Sequence, residues 1–193
     1  MALTKPAPGH WRYEDLFDLP DDGRRYEIIE GELYEMPAPS WAHQTILYNL
    51  VLLLDPLIKA FGGMLRFAPL DTFFPGANPV QPDILVVLPD GGARPSQRGL
   101  EGQPDLVIEV ISPSNRVHDL LTKRALYARA GVREYWLIDP DARRIDIHAL
   151  DRDALHLVQS AAGDDVLISP LLTGAAIPAA AIFAGIDVDD ADA

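Results

Sequence analysis

The stretch that most constrains the fold is Pro104-Asp105-Leu106-Val107-Ile108-Glu109-Val110-Ile111-Ser112-Pro113-Ser114-Asn115. Its apolar run is rich in β-branched residues, the signature of a strand covered on both faces. Glu109 interrupts that run and falls on the same side of the pleat as Val107 and Ile111. A carboxylate buried there without a partner costs several kcal/mol, so it must be hydrogen-bonded, ion-paired or bound to metal. Ser112-Pro113-Ser114-Asn115 ends the strand, and the helix that follows carries Lys123, which can reach back toward Glu109.

The rest of the chain supplies elements to cover such a strand. Residues 1–12 read as a loose leader, and Tyr13 to Leu19 as a short helix stopped by Pro20. Arg24 to Ile29 and Glu32 to Met36 flank Glu30-Gly31, a pattern suited to a tight hairpin. Ile46, Leu47, Leu50, Val51 and Leu54 recur at the spacing of one helical face, with His43 on that stripe in the first turn. Asp55-Pro56 predicts an N-cap and a restarted short helix through Phe61, closed by Gly62-Gly63. Leu65 to Phe74 is strand-like, and Val80 to Leu88 is a second strongly apolar strand with Asp83 near its start. Pro89 to Gly102 reads as a mobile Gly- and Pro-rich loop. His118 to Ala130 predicts a helix ending at Gly131, and Glu134 to Asp139 a third buried strand. A hairpin of Arg143 to Leu150 with Ala154 to Gln159, a short helix from Pro178 to Phe183 and a frayed acidic tail over 187–193 complete the chain. These elements imply one domain over 1–193, of α/β (α+β) class, with a mixed central β-sheet flanked by helices.

Composition narrows the chemistry. A chain of 193 residues can bury a real core. The absence of cysteine excludes disulfides and thiolate metal sites. No apolar run is long enough to span a bilayer and no signal-peptide pattern opens the chain, so a cytoplasmic protein is expected. The net charge of -13 argues against a protein that coats nucleic acid non-specifically. That charge is uneven. From Arg94 to Arg144 nine basic residues face seven acidic ones, making this segment +2 and the remainder -15.

Of the Pro-Asp dipeptides, the two at the starts of apolar strands, Asp83 and Asp105, offer a second acid beside Glu109. Asp105 lies on the same strand as Glu109, about 13 Å away at roughly 3.3 Å per residue, too far to share an ion. Asp83 lies on a different apolar strand that can pair with the central one. Two carboxylates brought together in a buried sheet repel unless a divalent cation lies between them, or unless each is satisfied separately by an Arg or by backbone N–H groups. Lys123 shares a helical stripe with Asp119 and Tyr127, a spacing that also suits an exposed Asp119–Lys123 pair. The five histidines show no zinc-binding spacing, and only His43 is suggestively placed. Ser112 and Ser114 lack the GxSxG context of a serine hydrolase, and the glycines form neither phosphate-binding fingerprint.

In order, Tyr26-Glu27-Ile28-Ile29-Glu30-Gly31-Glu32-Leu33, Met36-Pro37-Ala38-Pro39-Ser40, His43-Gln44, Gln81-Pro82-Asp83-Ile84-Leu85-Val86-Val87 and the Pro104 to Ser114 stretch form a specific combination. Asp119, Lys123, Tyr127, Gly131-Val132, Glu134 to Pro140 and Ser169-Pro170-Leu171-Leu172 extend it. With these pieces the chain resembles the Uma2 family, also called DUF820, of the PD-(D/E)XK restriction-endonuclease-like superfamily. The resemblance covers about Trp11 to Phe183. It implies a restriction-endonuclease-like core, with Asp83 and Glu109 as metal-binding acids and the carbonyl oxygen of Val110 as a third ligand for Mg2+ or Mn2+. The strand lysine of the superfamily pattern is missing, because Ile111 stands two residues after Glu109. Lys123 on the next helix takes that role by the same resemblance, so Asp83, Glu109 and Lys123 form the expected catalytic set. His43, Asp119 and Tyr127 are expected as accessory groups, and Arg116 and Arg124 as contacts to nucleic acid. The implied activity is metal-assisted hydrolysis of phosphodiesters, DNA foremost, by a homodimer away from membranes. A nuclease fold that binds without turnover, or a hydrolase of small phosphoesters, are the alternatives.

Overall fold

The computed structural model describes residues 6–7, 9–36, 38–112 and 118–187, apart from the side chains of Arg25 and of residues 118–120. Arg25–Ile29 (β1) and Glu32–Met36 (β2) pair antiparallel across Glu30 and Gly31, both with positive φ, at 52° and 77°. These dihedrals match the twist of a tight hairpin. The short helix expected after Trp11 is a 3-10 turn, Tyr13–Asp18. Trp11, at the end of the expected leader, is buried, and its N–H donates to Gly31 O at 3.0 Å.

Trp41–Ala60 (α1) opens on Ser40, whose hydroxyl accepts from His43 N at 3.2 Å. It buries Ile46, Leu50, Leu54 and Ile58 on one stripe. The restart expected at Asp55-Pro56 does not occur, and the helix runs through Pro56. Proline removes the hydrogen bond to the carbonyl four residues back, here that of Leu52. Leu52 is on the exposed side, where water can take the partner's place. Asp55 pairs with Lys59 instead of capping.

Met64–Phe67 (β3) and Thr72–Phe73 (β4) are separate short strands rather than one run from Leu65 to Phe74. Pro69, which cannot donate to a ladder, lies between them. Ile84–Val87 (β5) is fully buried. The segment read as a mobile loop folds into Arg94–Ser96 (β6) and Gly99–Glu101 (β7), which join β4 in a three-stranded sheet. Gly99 lies so close to Asp71 that a Cβ would sit 2.1 Å from its carbonyl oxygen. Here glycine permits a non-local strand pairing.

Leu106–Val110 (β8) is buried at every residue. After it, His118–Lys123 winds as a π-helix into Arg124–Ala130 (α2), which ends on Gly131 at φ 84°. Glu134–Asp139 (β9), Arg144–Asp151 (β10) and Ala154–Ala162 (β11) follow. Val166–Leu167 (β12), Ile177–Pro178 (β13) and Ala179–Ile182 (α3) close the fold. The main sheet has the order β11-β10-β9-β8-β5-β3, with β8 and β9 parallel and its other pairs antiparallel.

The alternation of β8 divides the core. Leu106, Ile108 and Val110 pack with α1 and the C-terminal segments. Val107 and Ile111 pack on the other face with Tyr127, Tyr135, Phe74 and Ile29. The mixed sheet is therefore sandwiched between helices, as expected from the sequence, and the β1–β2 hairpin closes over the α2 side.

Candidate active site

Glu109 lies on the α2 face of β8, where parity placed it, and is 3% exposed. Its Oε1 accepts from Tyr127 OH at 2.5 Å and from Lys123 Nζ at 3.1 Å. Lys123 is itself only 1% exposed, so its ammonium is not on the solvent-facing stripe that its spacing suited. The ammonium points inward from the junction of the π-turn and α2, and Tyr127, four residues on, follows the same stripe. Burial first, then the charges of Glu109 and Glu27, pushes the Tyr127 phenol well above its ordinary value. It is a neutral donor.

Glu27 is a member of this cluster that sequence reasoning missed. It lies buried on β1, with Oε2 3.5 Å from Lys123 Nζ. Its other oxygen accepts from Gln81 N at 2.8 Å, which ties the hairpin to the approach of β5. The signal was available in part: Glu27 shares a strand face with Ile29, which is buried against Tyr127. One ammonium thus sits between two carboxylates in a nearly dry pocket. Such a group gains strong attraction and suffers a large desolvation cost, so losing one member is severe.

Asp83 immediately precedes β5. The antiparallel pairing of β5 with β8 ends at Ile84 opposite Ile108, so Asp83 lies just beyond the ladder at the Glu109 end of β8. Asp83 Oδ2 accepts from Val110 N at 2.8 Å and lies 3.2 Å from His43 Nε2. The two acids come from adjacent elements of the sheet and have different partners: Asp83 meets the first turn of α1, and Glu109 meets α2. Asp105 is separately satisfied, accepting from Leu88 N at 2.8 Å and Arg133 Nη1 at 3.0 Å. It is a structural acid, as its distance along the strand required.

Of the other expected groups, Arg124 directs Nη1 to His148 Nε2 at 3.5 Å, an intramolecular contact away from the acids. Arg116 and the side chain of Asp119 lie outside the described residues. An open cavity of about 400 Å³ borders the Asp83 side of the site, between α1 and the end of β3. Among the described residues, no three His, Asp or Glu side chains are gathered into a ready cage for a metal.

The fold is similar to the crystal structure of "a putative nuclease belonging to DUF820" from Anabaena variabilis ATCC 29413. The TM-score is 0.70 and 20% of residues are identical, over 90% of this chain and 97% of that one. At that identity the likeness speaks for the fold alone. A comparison with curated proteins finds no match. Residues 13–180 match the family Uma2, described as "Putative restriction endonuclease". That match runs from the first 3-10 turn into the last helix and takes in both acids, the lysine and the tyrosine, so the chain belongs to the Uma2 family.

Proposed function

We propose that this chain is a Mg2+-dependent or Mn2+-dependent endonuclease that hydrolyses phosphodiester bonds in nucleic acid, with DNA as the substrate. One observation carries the reading: Lys123 reaches Glu109 at 3.1 Å from the following helix, on the strand that pairs with β5, which Asp83 immediately precedes. The ammonium missing at Ile111 is thereby supplied from elsewhere in the chain.

The donor set suits a hard divalent cation. Mg2+ keeps several of its waters and takes one or two protein carboxylates, so a full protein cage is not needed. Asp83, Glu109 and the carbonyl oxygen of Val110 would hold the ion. When bound, it supplies a water of lowered pKa and stabilises charge on the scissile phosphate. Lys123 offsets the charge that develops on the phosphoryl oxygens or orients the attacking water. Tyr127 and Glu27 hold the carboxylate and the ammonium in place. His43 does the same for Asp83.

The direct test is cleavage of plasmid and single-stranded substrates with Mg2+ or Mn2+, against the Asp83→Ala, Glu109→Ala double variant. Activity no greater than that variant's rejects the reading. A homodimer would present one site to each strand; sedimentation showing a monomer that still cuts both strands rejects that part. The net charge of -13 favours a second reading, a binding module without turnover, because phosphate neutralisation dominates affinity. Tight Mn2+ binding with no retention of nucleic acid at low salt is its signature.

A further inference from the structure

We infer that the cavity beside Asp83 receives an unstacked nucleobase next to the bond to be cut, so that the substrate is single-stranded or locally unpaired there. The inference rests on the nuclease reading and adds the substrate class to it. The cavity, about 400 Å³, is bounded by Gln44, Leu47 and Tyr48 of α1, by Phe67 and Pro69 at the end of β3, and by Asp83. That size is within the range of ligand sites in general.

The chemistry of the walls selects the occupant. Among the described residues lining the cavity none is Arg or Lys, the one imidazole, His43, is engaged with Asp83 at 3.2 Å, and Asp83 contributes a carboxylate. A phosphate or carboxylate ligand would be repelled. An uncharged flat group with an apolar face and a polar edge is matched instead. Tyr48 and Phe67 are 64% and 58% exposed, large aromatic surfaces left open on two separate elements. Such rings stack on bases with little regard for sequence. The Gln44 amide carries both a donor and an acceptor, the pair needed to read a base edge.

Position completes the argument. Asp83 is both a wall of the cavity and a proposed ligand of the ion, so a phosphate held at the ion has its adjoining nucleotide at the cavity mouth. In a duplex that base is stacked and out of reach. It enters only from a single strand or after leaving the helix, and leaving costs a few kcal/mol unless the base is mismatched or already unpaired.

The test uses the full chain and its Tyr48→Ala and Phe67→Ala variants, both at exposed positions where folding is not at stake. A single-stranded oligonucleotide carrying 2-aminopurine is titrated with Ca2+ in place of Mg2+, and cleavage with Mg2+ is followed in parallel. Expected are quenching by the wild type, weaker binding of the matched duplex, and a loss of affinity of about tenfold in each variant. Abasic substitution at the probed position should abolish the difference between wild type and variants. Equal affinity of wild type and both variants overturns the inference; if cleavage then persists, the nuclease reading stands without it. Tyr48-dependent quenching without cleavage supports the base site and rejects hydrolysis. Neither binding nor cleavage overturns both.

Discussion

Lys123 is the residue on which the buried cluster balances. Its ammonium is the counter-charge of both Glu109 and Glu27. Lys123→Met should therefore destabilise the fold by about 3–5 kcal/mol, read from the urea midpoint, because it leaves uncompensated carboxylates in the core. Adding Glu109→Gln should restore part of that loss, since the pair rather than either charge is what the core tolerates. A double variant no more stable than Lys123→Met would contradict this account. Tyr127→Phe should cost about 1–3 kcal/mol by removing a donor to a buried carboxylate. The phenol's raised pKa also has a sign. Below pH 10 both folded and unfolded chains keep the proton; above it the unfolded chain loses the proton first, so stability falls as pH rises. In Tyr127→Phe this alkaline loss should be smaller, as measured by unfolding at pH 9 to 11.

At the scale of elements, the β1–β2 hairpin places Glu27, and its turn is crowded. A Cβ on Gly31 would lie 2.4 Å from Gly9 O, at a φ of 77° that side chains disfavour. Gly31→Ala should cost more than the roughly 1–2 kcal/mol of the left-handed backbone alone, and should weaken any activity that depends on Glu27 holding Lys123. Thermal unfolding and cleavage rate, measured together, check both parts. The elements also show what could be read in advance. The face of Glu109 was legible because a lone charge in an apolar run has a determined side, and the strand beside it because Val80 to Leu88 is a second apolar run. The inward course of Lys123 was not legible from spacing alone, since its step from Asp119 equally suits a solvent-facing stripe; the family resemblance turned it toward Glu109, where the packing of α2 on β8 puts it. Glu27 needed the hairpin to dock on Gln81, a contact 54 residues apart in sequence. The β6–β7 pair hid for a related reason: glycine and proline mark turns, while the partner that makes strands of the residues between them is β4.

At the scale of the whole molecule, the far half of the sheet carries its own titrating group. His148, on β10, has its pKa lowered below the ordinary 6.5 by burial and by the charge of Arg124; Asp146 and backbone hydrogen bonds oppose the shift. Below pH 6.5 the unfolded chain takes up a proton that the folded chain resists, so stability should fall as the solution is acidified. His148→Gln should flatten that part of the profile from pH 7 to 5, and an unchanged slope would rule the group out. The acids, the ammonium and the phenol come from elements scattered between residues 27 and 127, stitched by the cross-chain register of β5 with β8. A fragment ending before Lys123 lacks both the ammonium and the phenol, whichever acids it keeps. Cutting the chain anywhere between Glu27 and Tyr127 therefore takes the set apart, even where each half keeps some of its charges.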